Sequence, residues 1–237
     1  MQLLSFSDNE QLSRWIVRRL VKALENKPDL IVCPASGNSP LQAYQLLAEE
    51  AAERPGLFRH IRIVQLDEFL TSGKDGHGVG QAYMQKYILE PLKVDAGRYL
   101  GFDVHNDPEK EAKKMRERLL SWGNIDVSIL GVGLNGHLGL LEPADELPLH
   151  THVATLAPSS REHHMLREAT EKPQRGITLG IGDLMHAREV LLPVNGAHKQ
   201  KVLTMLMEKR VSTQFPASLL WLHPGAVCAA DRRALGK

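Results

Sequence analysis

The sequence predicts a single α/β domain built on an open, doubly wound, mostly parallel sheet with helices on both faces. Short apolar segments alternate along the chain with longer segments of helical periodicity, and this alternation is typical of a parallel sheet. The 237 residues, 43% of them hydrophobic and 24% charged, suffice to bury one full core. No internal repeat, low-complexity tract or Gly/Ser-rich linker divides the chain. We therefore expect one Rossmann-like domain over residues 1–237.

Six short apolar segments predict the buried strands. Each contains four to six apolar or β-branched residues and is bounded by turn-forming residues, which favours a strand. The segments lie at 30–33, 61–66, 127–132, 176–181, 189–194 and 218–223.

The longer segments predict helices. Apolar residues recur three and four positions apart between Glu10 and Glu25, as on one face of a helix. Asp107 and Pro108 suit the N-cap and first turn of another helix. Helices are also predicted at about 40–52, 81–92, 108–121 and 197–208. Doubly wound sheets bind ligands beyond the carboxyl ends of their strands, so the residues after each strand are the candidates for function.

Charge and cysteine content limit the classes of function. The net charge is +1 and no dense Lys/Arg tract occurs, which argues against nucleic-acid and membrane-surface binding. Cys33 and Cys228 are far apart and predict neither a disulfide framework nor a zinc ribbon. The first residues lack the pattern of an export signal, and no stretch of 18 apolar residues occurs. We expect a cytoplasmic protein with a small-molecule partner; homo-oligomerisation stays open.

A polar turn follows the first predicted strand. Ser36, Gly37, Asn38 and Ser39 precede Pro40, which suits the first turn of a helix. Free N–H groups at a helix start and two hydroxyls suit a phosphate dianion, although the same residues also form an ordinary N-capped turn. No Gly-Lys-Ser/Thr follows, so the turn does not predict a nucleoside triphosphate site.

Two adjacent carboxylates follow the second predicted strand. Asp67 and Glu68 precede a loop with four glycines between 73 and 80. Two neighbouring carboxylates repel each other unless polar groups or a ligand interact with them, so this is a candidate acid–base position. The alternative is that one carboxylate caps the next segment and the other is solvated. The glycines favour a mobile or closely approached loop.

A glycine-rich segment ending in a histidine follows the third predicted strand. Residues 131–136 match the dinucleotide pattern G-x-G-x-x-G, but Pro143 follows too soon for the required helix. We interpret the glycines as a pocket floor that exposes His137. An imidazole titrates near neutral pH and can transfer protons, and Glu142 lies close enough in sequence to orient it. The alternative is a structural histidine in the core.

The segment 150–167 is rich in histidine and arginine. Its histidines lack the i, i+4 spacing of a helical zinc site, so we expect no metal. A basic lid at about 148–175, covering an anionic substrate, suits the composition, with Arg161 or Arg167 able to bind phosphate. Lys199 follows the segment 189–194 at the same sheet edge and is a further candidate, although a lysine there is more often solvated.

These motifs together resemble the glucosamine-6-phosphate deaminase superfamily, and specifically its galactosamine-6-phosphate isomerase/deaminase branch. The resemblance rests on SGNSP, LDEF, GVGLNGHLGLLEP and NGAHK in this order, and on the stretches 175–199 and 216–225. It implies an open α/β sheet and cofactor-free hydrolytic deamination of an amino-sugar 6-phosphate to a ketose phosphate and ammonia. Galactosamine-6-phosphate, giving tagatose-6-phosphate, is the favoured substrate; glucosamine-6-phosphate, giving fructose-6-phosphate, comes next.

The same resemblance implies roles for individual residues. Asp67 corresponds to the base that moves a proton between C2 and C1 of the sugar. His137 corresponds to the group that opens the pyranose ring, supported by Glu142 and Asn135. The phosphate ligands correspond to Ser36, Gly37, Asn38, Ser39 and Lys199, with Arg167 as a further candidate.

Three positions depart from the family pattern. Asn135 is aspartate in some relatives, but asparagine can still orient a histidine by hydrogen bonding. Leu141 stands where relatives usually carry asparagine, which removes a polar contact. Leu166 aligns with the phosphate arginine of the glucosamine enzymes, and Arg167 lies beside it.

Two other functions stay open at this point. A 6-phosphogluconolactonase shares the fold and the glycine–histidine stretch, but relatives of that class usually place arginine where this chain has Phe69. A sugar-phosphate sensor domain of a transcription regulator also shares the architecture. Such regulators carry an N-terminal helix-turn-helix, whereas one predicted helix precedes the first predicted strand here.

Overall fold

Ten strands form two sheets in the computed structural model, which describes residues 1–72, 76–169 and 171–237. The larger sheet has seven strands, and all its neighbouring pairs are parallel. The strands are β1 (Gln2–Phe6), β2 (Ile31–Pro34), β3 (Arg62–Val64), β4 (Asp67–Phe69), β5 (Tyr99–Leu100), β6 (Val127–Ile129), β7 (His152–Thr155), β8 (Arg175–Thr178), β9 (Glu189–Val194) and β10 (Ala226–Asp231). The order in the larger sheet is β1-β10-β9-β6-β2-β3-β5, so the predicted fold class is confirmed.

The helices of the described chain pack on both faces of this sheet. They are α1 (Asn9–Asn26), α2 (Asn38–Glu53), α3 (Val79–Met84), α4 (Pro108–Trp122), α5 (Ile181–Met185) and α6 (Gln200–Met207). A π-helical turn, Gln85–Leu89, continues α3. Asp107 accepts a hydrogen bond from the backbone N–H of Lys110 at 2.9 Å and so caps α4 as predicted. None of the described helices is long and apolar enough to cross a membrane.

Side chains alternate between the two faces of β2. Ile31 and Cys33 belong to the apolar core that includes residues of α4, α5 and α6. Val32 belongs to the other core, with residues of α1 and α2. Strand side chains point alternately to opposite faces, so both faces of this strand are buried, as a doubly wound sheet requires.

The strand order reverses between β2 and β6. The chain runs outward from β2 through β3 to β5 and then returns to β6 on the other side of β2. Pro34 at the end of β2 is paired with Ile129 at the end of β6. The segments 35–40 and 130–142 therefore leave the sheet side by side at the switch point, where open α/β sheets bind ligands.

The smaller sheet is antiparallel and has the order β4-β8-β7. Its strand β4 begins at Asp67, three residues after β3 ends at Val64. Gly176 of β8 lets the sheet pack closely, because a Cβ there would lie 2.2 Å from Leu140 and 2.8 Å from the carbonyl oxygen of Glu68. The smaller sheet therefore fixes the direction in which the chain carries Asp67 away from β3.

The prediction of a strand at 218–223 is wrong. Residues Pro216–Leu222 form a 3₁₀ helix, and its Ala217 N–H donates to the carbonyl of Gly136 at 2.8 Å. Leu222 is 65% exposed, which a central strand would not allow. Short apolar runs suit a strand and a buried helical turn equally, and here contact with the 130–142 loop selects the helix.

Four other segments differ in detail from the expectations. The segment 176–181 contributes a strand, β8, but to the antiparallel sheet. Strands β1 and β10 were not predicted, because β1 lies at the exposed edge and β10 is rich in small residues of low strand preference. The helix predicted at 197–208 begins as a 3₁₀ turn, Ala197–Lys199, before α6.

Candidate active site

A cavity of about 340 Å³ lies at the switch point of the sheet. It is enclosed by the turn after β2, the start of β4, the loop after β6, part of the predicted lid and the turn before α6. Its lining includes Ser36, Gly37, Asn38, Ser39, Asp67, Asn135, His137 and Lys199 from the predicted site, together with Ser159, Ser160, Glu162, His163 and His198. Segments far apart in sequence thus meet at one edge of the sheet.

The turn over residues 36–39, hereafter the phosphate turn, presents unpaired donors. Among the described residues, none accepts a hydrogen bond from the backbone N–H groups of residues 36–39 or pairs with the side chains of Ser36, Asn38 and Ser39. Gly37 has φ +123°, a conformation that favours glycine and precedes the first turn of α2. Free N–H groups at a helix start form a site suited to an anion.

Lys199 supplies a positive charge to the same cavity. Its Nζ donates a hydrogen bond of 2.6 Å to the carbonyl oxygen of Val132, in the loop after β6. Burial lowers the pKa of Lys199 because the partly desolvated ammonium is less stable than in water. A lysine at such a position is more often a solvated surface residue, but Lys199 lines the cavity.

Asp67 faces the cavity with an unpaired carboxylate. The side chain is half-buried and has no hydrogen-bond partner among the described residues. Burial raises the pKa of Asp67 to about 7, and the charge of neighbouring Glu68 adds to this. A carboxylate with such a pKa can take up and release a proton near neutral pH, as a general base must.

Glu68 has a different environment from Asp67. It is fully buried, and its carboxylate accepts hydrogen bonds of 2.6–3.0 Å from the N–H groups of Phe69, Gly80 and Gln81 and from the side chain of Gln65. Burial raises the pKa of Glu68, and these four donors act against the rise by holding the ionised form. One carboxylate of the pair thus caps α3, as the alternative interpretation held, whereas the other faces the cavity.

Glycines allow the ring of His137 to lie against the backbone of its own loop. A Cβ at Gly133 would lie 2.3 Å from the imidazole, whereas one at Gly131 would meet nothing within 4 Å. Gly136 has φ +88°, and a Cβ there would lie 2.2 Å from Phe215. The motif therefore serves ring packing and a tight turn, and the described residues 137–150 after it form no helix that could bind a dinucleotide.

Glu142 and Asn135 lie behind His137. Glu142 Oε2 is 3.4 Å from His137 Nδ1 and accepts a hydrogen bond of 2.9 Å from the Asn135 amide. The Asn135 oxygen in turn accepts the backbone N–H of His137 at 3.2 Å. Burial favours a higher pKa for Glu142, but the nearby His137, Ser160 and Asn135 outweigh it and bring that pKa to about 2. The ionised carboxylate can therefore stabilise a protonated imidazole.

Two arginines considered as phosphate ligands do not line the cavity. Arg167 is exposed, and Arg161 donates from its Nε to the carbonyl oxygen of Leu156 at 3.0 Å. Leu141 is 1% exposed within the main core, so it faces away from the cavity.

Five polar lining residues were not predicted as site residues from the sequence: Ser159, Ser160, Glu162, His163 and His198. Four of them lie in the predicted lid. The composition of the lid indicated that this segment lies near the ligand, but it did not indicate which of its side chains line the cavity. Among the described residues no group of three or more His, Cys, Asp or Glu side chains is arranged to hold a metal ion.

Two related proteins align with nearly the whole of this chain. AgaI of Escherichia coli (strain K12), a protein named as a deaminase, is 34% identical over 209 residues, which is 88% of this chain and 83% of that protein. The glucosamine-6-phosphate deaminase of Geobacillus sp. (strain WCH70) is 30% identical over 238 residues, which is 99% of this chain and 95% of that protein.

Solved structures agree with this likeness. A monomeric glucosamine-6-phosphate deaminase superposes with a TM-score of 0.91 at 28% identity, covering 100% of this chain and 99% of that one. A 6-phosphogluconolactonase from Thermotoga maritima superposes with a TM-score of 0.77 at 21% identity, covering 98% and 99%, and this likeness concerns the fold alone.

A family model accounts for residues 8–228. It describes the glucosamine-6-phosphate isomerases and 6-phosphogluconolactonases, and the match extends from the start of α1 into β10. The superfamily expected from the motifs is therefore confirmed, and the chain belongs to the glucosamine-6-phosphate isomerase/6-phosphogluconolactonase family.

Proposed function

We propose that this protein is an amino-sugar-6-phosphate deaminase/isomerase that acts on galactosamine-6-phosphate in preference to glucosamine-6-phosphate. The observation that carries the proposal is the carboxylate of Asp67, which has no hydrogen-bond partner among the described residues and lines the same cavity as His137 and the phosphate turn. A carbon base and a group that opens the ring are what an aldose–ketose conversion of a cyclic sugar requires. A phosphate site at the other end would hold the substrate between them.

The proposed reaction begins with opening of the pyranose. His137 gives a proton to the ring oxygen as the bond from that oxygen to C1 breaks and takes up the proton of the C1 hydroxyl, and the aldehyde forms. Asp67 then takes the proton from C2 while His137 returns a proton to the C1 oxygen, which gives an enolamine. Asp67 delivers its proton to C1 and the nitrogen gives one to His137, which gives an imine at C2. Water adds to C2 and ammonia leaves as the C2–N bond breaks. One water is consumed for each ketose phosphate and ammonia produced.

The preference for the galacto substrate is supported by the sequence stretches 175–199 and 216–225, which resemble the galactosamine branch. The likeness to AgaI and to a glucosamine-6-phosphate deaminase supports deamination and is compatible with either sugar. The two substrates differ at C4, so the contacts of that hydroxyl decide between them. The loop at 70–80, which follows the strand of Asp67, is one candidate for these contacts, and it includes residues 73–75, which lie outside the described residues.

The decisive experiment measures ammonia release from galactosamine-6-phosphate and glucosamine-6-phosphate in parallel and identifies the ketose formed. We expect release from both, with a higher kcat/KM for the galacto sugar and tagatose-6-phosphate as its product. A higher kcat/KM for the gluco sugar would overturn the substrate preference and leave the reaction class intact.

The same preparation should be assayed on 6-phosphogluconolactone. Hydrolysis of the lactone without ammonia release would identify a lactonase and refute the proposal. Binding of the sugar phosphates without turnover of any of the three compounds would indicate a sensor.

A further inference from the structure

Two buried tyrosines and a half-buried asparagine bind backbone carbonyls of the phosphate turn and of Ala35, the residue before it. The hydroxyl of Tyr44, in α2, donates to the carbonyl oxygen of Ala35 at 2.8 Å. The hydroxyl of Tyr83, in α3, donates to the carbonyl oxygen of Gly37 at 2.7 Å. The amide of Asn195, after β9, donates to the carbonyl oxygen of Ser39 at 3.0 Å. The carbonyls of residues 35, 37 and 39 are therefore bound by the protein, while the N–H groups of residues 36–39 have no partner among the described residues.

This arrangement separates acceptors from donors. A carbonyl oxygen facing the cavity would repel an anion, and a bond to a buried hydroxyl keeps it turned toward the protein. Burial raises the pKa of both Tyr44 and Tyr83, so each hydroxyl keeps its proton and acts as a donor. The donors of residues 36–39 are the groups left to face a ligand.

Tyr83 also connects the phosphate turn to the strand that carries Asp67. The first turn of α3 is bound to the Glu68 carboxylate through the N–H groups of Gly80 and Gln81. A Cβ at Gly80 would lie 2.9 Å from that carboxylate, so glycine is needed for this contact. The helix therefore has one end fixed beside Asp67 and a side chain fixed to the phosphate turn.

We propose that Tyr83 is a positioning residue for the bound phosphate group, acting with Tyr44 and Asn195 to keep the N–H groups of the phosphate turn directed at the cavity. Tyr83 itself touches the turn and not the ligand. The inference rests on the proposed function only in naming a phosphate ester as the ligand. It predicts that loss of one hydroxyl, remote from the acid–base residues, weakens phosphate binding with little effect on the chemical step.

Tyr83→Phe tests the proposal, and Tyr87→Phe is its matched control. Tyr87 lies one helical turn away with its ring 4.7 Å from that of Tyr83, yet its hydroxyl forms no hydrogen bond among the described residues. Both changes remove one oxygen atom and keep the ring. Loss of one hydrogen bond of this kind costs about 0.5–1.5 kcal/mol, so we expect the dissociation constant of inorganic phosphate to rise about twofold to twelvefold for Tyr83→Phe only.

The dissociation constant is measured by titrating inorganic phosphate calorimetrically into the full chain, and KM and kcat are then measured with both amino-sugar phosphates. Tyr83→Phe should raise KM in step with the phosphate constant while kcat stays within about twofold. Asn195→Ala should show the same pattern from the opposite side of the turn.

Unchanged phosphate affinity in Tyr83→Phe, equal losses in both tyrosine variants, or no phosphate binding by the unaltered protein would overturn the inference. Phosphate binding without ammonia release in the unaltered protein would instead refute the proposed function. The calorimetric comparison of the two tyrosines would then still test the role of Tyr83.

Discussion

Asp67 and Glu68 show how adjacent residues of the same chemistry acquire different roles. Strand geometry turns neighbouring side chains to opposite faces, so Glu68 enters the protein and meets four N–H donors while Asp67 faces the cavity. The buried charge of Glu68 contributes to the raised pKa of Asp67. Glu68 is therefore a structural carboxylate whose charge helps to raise the pKa of Asp67, the carboxylate that we propose as the base.

Asp67→Asn should abolish turnover while preserving phosphate binding. Loss of a general base costs about 10²–10⁴-fold in rate, whereas the phosphate turn is left unchanged. The measurements are single-turnover ammonia release and calorimetric phosphate titration. In the unaltered protein, kcat should rise with pH about a midpoint near 7, because the base must be ionised. Ammonia release by the variant at the normal rate would contradict the assignment of Asp67.

The same variant should be more stable than the unaltered protein above pH 7. The pKa of Asp67 is raised from 3.8 to about 7 in the folded state, so the fold loses stability as pH rises between these values. Asparagine cannot ionise, so the variant does not lose this stability. We expect the difference in the free energy of unfolding to be about 1–2 kcal/mol for a partly solvated group. Urea unfolding from pH 3 to pH 8 measures the difference, and a constant difference across this range would exclude titration of Asp67 as its cause.

Asn135→Ala should destabilise the protein in a pH-dependent way. The pKa of Glu142 is lowered from 4.5 to about 2 in the folded state, so its stabilising contribution is complete above about pH 5 and is lost as pH falls toward 2. Removing the Asn135 donor should cost about 1 kcal/mol at pH 7 and progressively less in acid. Denaturant unfolding at several pH values checks this, and a loss that grows in acid would contradict it.

At the scale of elements, the loop after β6 owes its shape to contacts with distant segments. Gly136 packs against Phe215, and its carbonyl accepts the N–H of Ala217 in the 3₁₀ helix Pro216–Leu222. The Nζ of Lys199 binds the carbonyl of Val132 near the start of the same loop. His137 is thus held by elements that follow it by at least 60 residues in the chain.

Gly133→Ala should impair catalysis far more than Gly131→Ala. The new methyl group at 133 would lie 2.3 Å from the imidazole and must displace it, whereas that at 131 meets nothing within 4 Å. We expect kcat to fall by about tenfold or more for Gly133→Ala, with a stability loss of about 1–3 kcal/mol from overpacking. Steady-state kinetics and thermal unfolding compare the variants. A larger effect at 131 would show that backbone freedom, and not ring packing, explains the motif.

At the scale of the whole molecule, the candidate phosphate site joins the two halves of the sheet. The phosphate turn follows β2 and Lys199 follows β9, and β6 lies between these strands. A ligand that binds the folded state at both places stabilises the entire domain by mass action. The free energy gained is about 2.7 kcal/mol at a ligand concentration one hundred times the Kd.

Inorganic phosphate should therefore raise the Tm, and Lys199→Met should reduce this effect. A charge-assisted hydrogen bond contributes about 1.5–3 kcal/mol, so we expect the phosphate affinity to fall about tenfold or more. Lys201→Met, a change of an exposed lysine two residues away, is the control. Thermal unfolding across a phosphate series measures both. Equal behaviour of the two variants would exclude a direct role for Lys199.

Much of this organisation could be read from local patterns. Buried segments such as Glu189–Val194 are apolar enough to be recognised as strands, and Asp107 with Pro108 marks the start of α4. The strand Ala226–Asp231 was not predicted because its side chains are small. The segment Pro216–Leu222 was wrongly predicted as a strand because a short apolar run is compatible with a strand and with a buried helical turn. Patterns of this kind predict an element well where the element's own residues determine it.

The fold class, the family and the segments that form the candidate site follow from the amino-acid sequence, because turn chemistry and the order of strands and helices are local properties of the chain. The three-dimensional structure was needed to show which of Asp67 and Glu68 faces the cavity, that Arg167 lies outside its lining, and which side chains bind the carbonyls of the phosphate turn. Burial, charge proximity and hydrogen-bond partners depend on segments distant in sequence, and these long-range contacts set the chemistry of each residue.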